Sequence, residues 1–177
     1  MKKVAIIGCS GSGKSTLART LGALLHLPVH HLDALFWQPG WVPTNKEHFV
    51  NEQQKILQND AWIIDGNYGG TMDERLSQAD IIIFLHYKTI RCLYRIIKRR
   101  LQYHNKTRPD MGIDCPEKLD WEFFNWVRNF NRTKVPAINK RLSLLENKTI
   151  LVFKSPKQLR NFLIELESSR PNFPMDS

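Results

Sequence analysis

Long apolar runs and cysteines are both scarce in this chain of 177 residues. No apolar run approaches the roughly 20 residues that a membrane-spanning helix needs, so we expect a cytoplasmic protein without a membrane partner. Cys9, Cys92 and Cys115 are scattered and odd in number, which favours reduced thiols over disulfides. The apolar run after Met1-Lys2-Lys3 is too short for a secretory signal and predicts a first strand.

Acidic residues are missing from a long stretch in the middle of the chain. Between His86 and Pro109 there is no Asp or Glu, whereas eight lysines and arginines lie there. The chain as a whole has a formal charge of +9, which predicts anionic partners such as nucleotide phosphates, nucleic acid or acidic lipid. A solvated helix face normally mixes acids with bases, so the one-sided charge favours phosphate binding.

Glycines concentrate in residues 8–16, GCSGSGKST, which fit the Walker A pattern between a β-branched run and a helical pattern. A glycine-rich turn with a chance lysine is the alternative. In the Walker A interpretation, backbone N–H groups and the helix N-terminus surround a phosphate. Lys14 reaches the β- and γ-phosphates, and Ser15 binds Mg²⁺. This segment, called the glycine loop below, predicts ATP binding through Gly8, Ser10, Gly11, Ser12, Gly13, Lys14, Ser15 and Thr16.

Two aspartates end predicted strands. Asp65 follows an apolar strand, at the position where a carboxylate holds Mg²⁺ directly or through water. Asp33 follows the preceding strand and is predicted to orient or deprotonate an acceptor hydroxyl. A turn or capping aspartate is the alternative for each. His30-His31-x-Asp33 also fits a metal site, although histidines at a strand end more often serve packing.

The succession of elements predicts an α/β fold. Five apolar strands, including Ile81–Leu85, alternate with helical patterns, which is typical of a parallel sheet that binds ligands at the carboxyl ends of its strands. With the glycine loop, this predicts a three-layer P-loop NTPase fold in one domain over residues 1–170, followed by a tail over 171–177. The loop, Asp33 and Asp65 are expected to converge on one crevice.

Arginines and aromatic residues supply two further candidate features. Arg95 and Arg99 lie four residues apart on one face of a predicted helix, and arginine matches phosphate oxygens bidentately. A solvated basic face is the alternative. The aromatic residues Phe36, Trp37 and Trp41 lie on a loop punctuated by proline and glycine. They either stack on a planar substrate and wall its pocket, or pin the loop to the core.

These residues resemble a known group of enzymes. The glycine loop, the Asp-Gly after the third strand and the Arg-x-x-x-Arg-Arg helix resemble the adenylate kinase and shikimate kinase group of P-loop kinases. More closely, several segments resemble the bacterial DNA topology modulation protein family. The segments are 8–16, 31–37 (HLDALFW), 62–68 (WIIDGNY), 106–112 (KTRPDMG) and 115–118 (CPEK).

The kinase resemblance implies a sheet order of 2-3-1-4-5 and a helical lid around residues 103–118. It also implies that Arg95 flanks the adenine, that Arg99 and Arg100 contact phosphates, and that the loop carrying Ser155 passes the adenine edge. Asn67-Tyr68 replaces the Phe-Pro-Arg pattern of adenylate kinases, which argues against a nucleoside monophosphate acceptor. The shikimate kinase arginine set is not recognisable either, so the acceptor stays open.

Two functions follow from these observations. The first is an ATP- and Mg²⁺-dependent phosphotransferase acting on an unidentified small molecule, with catalytic residues Lys14, Asp33, Arg99 and Arg100. The alternative is a nucleotide-dependent regulator that binds DNA and affects its topology, although no DNA-reading motif is evident. The direction of the arginines distinguishes them, because a kinase needs them to point at the glycine loop.

Overall fold

The structure is a computed structural model, and it describes residues 2–104 and 106–169. Its strands are β1 (Lys3–Gly8), β2 (Val29–His31), β3 (Trp37–Gln38), β4 (Val42–Pro43), β5 (Trp62–Asp65), β6 (Ile81–Leu85) and β7 (Thr149–Phe153). Five of them form a parallel sheet in the order β2-β5-β1-β6-β7, and β3 pairs with β4 in a separate hairpin.

The helices are α1 (Lys14–Leu25), α2 (Leu32–Phe36), α3 (Lys46–Leu57), α4 (Met72–Gln78), α5 (Thr89–Gln102), α6 (Trp121–Thr133), α7 (Val135–Ser143) and α8 (Pro156–Ser168). The predicted α/β fold with a five-stranded parallel sheet is confirmed. Within the described ranges, no helix combines the length and the apolar character needed to cross a membrane. The predicted tail, 171–177, lies outside the described residues.

Numbered along the chain, the strand order of the sheet is 2-5-1-6-7 and differs from the expected 2-3-1-4-5. The numbers differ because the sequence did not predict the short hairpin strands β3 and β4, which precede β5, the third strand of the main sheet. They arise in the stretch predicted as an aromatic loop, where Trp37 pairs with Pro43 and Gln38 pairs with Val42.

The middle strands of the sheet carry the glycine loop. β1 and β6 are almost wholly buried, because β-branched side chains on both faces are covered by helices. The register pairs Ile6 with Asp65, and Asp65 with His31 on the neighbouring strand. The carboxyl ends of three strands therefore meet where Gly8 begins the glycine loop, and the structure brings Asp65 to the loop as predicted.

One local prediction needs correction. Asp33 does not follow a strand end directly, because the chain turns at Leu32 into the short helix α2 and Asp33 lies within it. Farther along the chain, Asn45 caps α3, and its side chain accepts hydrogen bonds from the N–H groups of Glu47 and His48. Thr44 is buried, and its hydroxyl accepts a hydrogen bond from Gln38.

The segment predicted as a helical lid connects α5 to α6. Its described residues, 103–104 and 106–118, form turns and two isolated bridges rather than a helix. Pro109 and Pro116 disfavour a continuous helix here, because proline lacks an N–H group and restricts the residue before it. That the segment moves as a lid stays a prediction.

Candidate active site

The glycine loop packs tightly against α5. Gly11 and Gly13 have φ angles of 77° and 97°, in the left-handed region that glycine tolerates. A Cβ atom on Gly11 would lie 2.6 Å from the carbonyl oxygen of Cys92 in α5. A side chain at this position would therefore push the loop away from the helix.

Lys14 is the first residue of α1, and its side chain folds back onto the glycine loop. The Nζ atom of Lys14 and the backbone N–H of Ser12 both donate hydrogen bonds to the carbonyl oxygen of Cys9, each at 3.1 Å. The N-cap of α1 is Gly13, which has no side chain to cap the first N–H groups of the helix. Free N–H groups beside a lysine suit a phosphate group.

Asn67 holds the first residue of the loop, and the sequence did not identify it as a site residue. Its Oδ1 accepts a hydrogen bond from the Gly8 N–H at 3.0 Å, and its Nδ2 donates one to the Gly8 carbonyl oxygen at 2.7 Å. The side-chain amide therefore pairs with both backbone polar groups of the buried residue Gly8. The available signal was the segment Asp65-Gly66-Asn67-Tyr68, which belongs to the family resemblance.

Replacing Asn67 with alanine is expected to lower the free energy of unfolding by about 1–3 kcal/mol, because both polar groups of buried Gly8 lose their partner. Urea denaturation followed by circular dichroism measures this change. Asn129→Ala, which removes an exposed hydrogen bond within α6, is the matched control and should stay within about 0.5 kcal/mol of the parent protein. Equal stability of the two variants would contradict the anchoring role of Asn67.

Asp65 is buried and joins the loop to β2. Its Oδ2 accepts a hydrogen bond from the Ser15 hydroxyl at 2.8 Å, and its Oδ1 pairs with Nδ1 of His31. Burial lowers the pKa of His31, but the hydrogen bond to Asp65 and the charge of that carboxylate raise it more, so the net shift is upward. His31 is thus a hydrogen-bonding partner of Asp65.

The oxygen atoms around Ser15 fit a magnesium ion. The carboxyl group of Asp110 is also buried close to the Ser15 hydroxyl. Burial raises the pKa of Asp110, but the charge of Arg108 and the nearby Ser15 hydroxyl lower it more. Hydroxyl and carboxylate oxygens are ligands that Mg²⁺ prefers, and it usually needs only one or two of them beside substrate phosphates. No larger group of three His, Cys, Asp or Glu suited to a metal occurs among the described residues.

The arginines of α5 separate into two sets. Arg95 donates a hydrogen bond through Nη1 to the Ser12 carbonyl oxygen at 3.1 Å, so it reaches the glycine loop. Arg99 points the same way, because four residues turn a helix by about 40° from the starting face. Arg100 is turned by about 140° and pairs with His104 at 2.7 Å instead. The structure therefore does not bring Arg100 to the loop, contrary to expectation.

Glu117 ties α5 to the segment that follows it. This carboxylate is buried and lies 2.7 Å from Nε of Arg99 and 2.6 Å from Nε of Arg108. Arg108 is also 2.8 Å from Asp110. Burial lowers the pKa of Arg99, and the nearby charge of Arg108 adds to that effect. The sequence missed Arg108, Asp110 and Glu117, although all three lie in segments quoted for the family resemblance.

Two clefts meet beside the glycine loop. The first, which we call the loop cleft, has a volume of about 490 Å³ and is lined by the glycine loop, α5 residues and part of α8. The second, which we call the aromatic cleft, has a volume of about 880 Å³ and is walled by tryptophan, tyrosine and phenylalanine side chains. Arg100 lines neither. Residues common to both clefts are Ser10, Lys14, Asp33, Arg99 and Arg108.

Asp33 lies at the junction of the two clefts although it is placed by α2. Its Oδ1 accepts a hydrogen bond from the Tyr68 hydroxyl at 2.8 Å. Burial raises the pKa of Tyr68 far above its ordinary value, and the carboxylate of Asp33 raises it further. Tyr68 therefore stays a hydrogen-bond donor and fixes the orientation of the Asp33 carboxylate.

The aromatic residues of the 36–41 segment divide between the core and the lining of the aromatic cleft. Phe36 packs edge-on against Phe49 and lies against Tyr68, with ring centroids 5.2 and 4.9 Å apart, so it anchors the segment to the core. Trp37 and Trp41 contact each other at 5.4 Å and wall the aromatic cleft.

Ser155 has a different place from the expected one. Its hydroxyl caps α8 by accepting a hydrogen bond from the N–H of Gln158 at 3.3 Å. The loop cleft is lined instead by the next residue, Pro156, together with Leu159 and Leu163 of the same helix. The chain after the last strand therefore contributes to the loop cleft through apolar side chains of α8, and its place beside the adenine stays a prediction.

Comparison with known proteins identifies the fold. No protein-family model and no curated protein matches the chain. Among solved structures, shikimate kinase from Acinetobacter baumannii in complex with shikimate has a TM-score of 0.60 and 14% identity, covering 94% of this chain and 90% of that one. Deoxyadenosine kinase from M. mycoides with bound dATP has a TM-score of 0.53 and 19% identity, covering 94% of this chain and 100% of that one.

A second shikimate kinase, from Bacteroides thetaiotaomicron, has a TM-score of 0.50 and 16% identity, covering 94% of this chain and 96% of that one. At such identities the likeness concerns the fold alone. The chain therefore has the α/β fold of P-loop kinases. The resemblance to the DNA topology modulation family stays a prediction.

Proposed function

We propose that this protein is an ATP- and Mg²⁺-dependent phosphotransferase that phosphorylates a hydroxyl group of a small molecule. One observation carries the proposal: the loop cleft and the aromatic cleft meet at Lys14, Asp33 and Arg99. A phosphate donor in the first cleft and an acceptor in the second would meet at a carboxylate and two cations. The kinase folds of the neighbouring structures support the same interpretation.

The proposed step needs a base and charge stabilisation. The acceptor oxygen bonds to the γ-phosphorus while the bond from that phosphorus to the β–γ bridging oxygen breaks and ADP leaves. The hydroxyl proton passes to Oδ2 of Asp33, whose other oxygen is held by Tyr68. Lys14 and Arg99 stabilise the negative charge on the transferred group.

Mg²⁺ would be held by the Ser15 hydroxyl and the Asp65 carboxylate, whose oxygens already lie 2.8 Å apart. When bound, it neutralises charge on the β- and γ-phosphate oxygens. His31 orients the Asp65 carboxylate from the side of β2, as partners of metal ligands commonly do. The adenine is proposed to lie between Arg95 and the apolar residues of α8, close to Pro156.

The division among the α5 arginines is testable by substitution. Arg95→Ala is expected to weaken ATP binding about tenfold, the value of one hydrogen bond to a charged group. Arg100→Ala on the same helix is expected to leave ATP affinity within about twofold, because exposed contacts of this kind contribute little. Isothermal titration calorimetry compares both with the parent protein. A larger loss in Arg100→Ala than in Arg95→Ala would reverse the assignment.

The function itself is tested by ATP binding and by acceptor-dependent ADP release. Calorimetry with and without Mg²⁺ measures the first, and a coupled assay over hydroxylated metabolites, nucleosides and nucleotides measures the second. We expect Mg²⁺-dependent ATP binding and ADP release only when an acceptor is present. Failure of ATP to bind at millimolar concentration would refute the proposal.

DNA binding remains the second prediction, motivated by the net charge of +9. The phosphotransferase is better supported, because Arg95 donates a hydrogen bond to the glycine loop and Arg99 lines the loop cleft, where it is bound to Glu117. The exposed face of α5 mixes the exposed cations Arg91 and Lys98 with an apolar ridge, in which Ile90, Tyr94, Ile97 and Leu101 are between 44% and 76% exposed, and only the cations suit phosphate contacts. DNA affinity that is strong at low salt and falls steeply with salt would favour the regulator.

A further inference from the structure

The aromatic cleft has features that select a chemical class of acceptor. From them, and resting on the proposed function, we infer that the acceptor is an uncharged molecule with a flat ring and a free hydroxyl, of the nucleoside class. An anionic acceptor, such as a nucleoside monophosphate or a hydroxy acid, is the contrasting class.

Aromatic side chains from three parts of the chain wall the cleft. Trp37 and Trp41 come from the hairpin segment, Tyr68 follows β5, and Phe123 and Trp126 belong to α6. Each is neither fully buried nor fully exposed, so each keeps apolar surface facing the cleft. The contacts among them, including parallel Phe123 and Trp126 rings at 6.2 Å, hold these surfaces in fixed orientations. Flat rings stack on such surfaces with little dependence on their identity.

The cations of this cleft are largely committed to groups of the protein. Arg99 and Arg108 share the buried carboxylate of Glu117. Arg141 lies 2.7 Å from Asp73, and Lys118 lies over the ring of Trp41 at 5.1 Å from its centroid. An anionic acceptor needs cations that can bind it bidentately, and the arginines here already bind carboxylates.

Acidic side chains in the aromatic cleft also disfavour an anionic acceptor. Asp120 and Glu122 line the aromatic cleft together with Lys118, Lys134 and Arg141. With the shared residues, its lining has six lysines and arginines against four acids, whereas the loop cleft has six against two, since Arg19, Arg95 and Lys98 line it and Asp110 is the acid added there. Positive charge is thus more concentrated where the phosphates of ATP would lie, and the aromatic cleft, whose arginines are paired with carboxylates, attracts a second anion less.

The reacting hydroxyl has a defined partner. Oδ1 of Asp33 is occupied by Tyr68, and in the described part of the chain no group donates a hydrogen bond to Oδ2. A hydroxyl at Oδ2 would lie beside Lys14 and Arg99, which line the same junction. The cleft volume of about 880 Å³ lies within the usual range for sites that enclose a small organic molecule.

Matched acceptors test the inference. Deoxyadenosine, adenosine, thymidine and cytidine are compared with their 5′-monophosphates and with shikimate in the ADP-release assay. Quenching of tryptophan fluorescence in the AMP-PNP-loaded protein measures binding of the same compounds. We expect at least one nucleoside to have a kcat/KM about 100-fold above that of its monophosphate and of shikimate, as expected when a site lacks partners for a charged group.

The second measurement uses substitutions of aromatic residues that line the aromatic cleft. Trp41→Leu and Phe123→Leu are each expected to raise the KM for the nucleoside about tenfold through lost stacking, while the KM for ATP stays unchanged. The matched control is Trp121→Leu, because Trp121 lies on the same helix but is 70% exposed and lines neither cleft. An equal rise of the KM for the nucleoside in Trp121→Leu would contradict stacking as the cause.

The outcomes separate this inference from the proposed function. Preference for a monophosphate or for shikimate would overturn the inference and leave the phosphotransferase intact. ATP binding without binding or phosphorylation of any nucleoside would overturn it as well. Absence of ATP binding would instead overturn the proposed function, and the inference with it.

Discussion

Replacing Asp33 with asparagine is expected to lower kcat by about 10²- to 10⁴-fold, the usual contribution of a general base. The amide keeps the size of the carboxylate, and its oxygen still accepts the hydrogen bond that Tyr68 donates to Oδ1. It cannot take the proton of an acceptor hydroxyl. The affinity for ATP should therefore change little, which separates loss of chemistry from loss of binding. Steady-state kinetics with the acceptor found by the screen measures kcat and both KM values.

Two further variants make this result specific to Asp33. Tyr68→Phe removes the orienting hydrogen bond and should lower kcat by less than Asp33→Asn does. Asp60→Asn, an exposed aspartate after α3, should behave as the parent protein. A kcat of Asp33→Asn within about threefold of the parent would contradict a base role, since general bases contribute far more.

Removing the charge of Lys14 is expected to weaken ATP binding by about 1.5–3 kcal/mol, the range for a hydrogen bond to a charged group. That corresponds to roughly 10- to 150-fold in the dissociation constant. Turnover should fall further, because Lys14 lines the junction of both clefts and its charge stabilises the transferred phosphoryl group. Calorimetry on Lys14→Ala measures the affinity, and the coupled assay measures the turnover.

The control for Lys14 is Lys55→Ala. Lys55 is exposed on α3 and pairs with Glu52, an arrangement worth little to stability or binding. The ATP affinity of Lys55→Ala should match that of the parent protein. Thermal unfolding of Lys14→Ala should also be near the parent value, because its hydrogen bond to Cys9 lies at the edge of a cleft. Unchanged ATP affinity and turnover in a folded Lys14→Ala would refute a phosphate-binding role for the loop.

Short-range pattern accounts for the predictions that the structure supports. The glycine loop needs glycine where φ is positive, as at Gly11 and Gly13, and such a requirement is visible in the sequence. The buried strands read as continuous apolar runs. Asp65 follows one of these runs, so its position at the carboxyl edge of a parallel sheet follows from the alternation of strands and helices.

Contacts between distant segments account for what the sequence missed. Asn67 binds Gly8 across 59 residues, and Glu117 binds Arg99 across 18 residues. No local period predicts such pairs, because a side-chain amide or carboxylate has no preferred partner until the backbone places one beside it. The prediction for Arg100 was wrong for the opposite reason. Arg100 is next to Arg99 in sequence, but the turn of the helix directs its side chain to His104.

The sequence by itself determined the α/β fold and the loop over residues 8–16, because hydrophobic period, glycine conformation and the order of elements are local properties of the chain. Only the tertiary structure decided which contacts the side chains around that loop make. The sheet register brings Asp65 to Ser15, and α2 places Asp33 at the junction of two clefts. Whether the arginines of the aromatic cleft can bind a ligand depends on pairings such as Arg141 with Asp73, which packing alone determines.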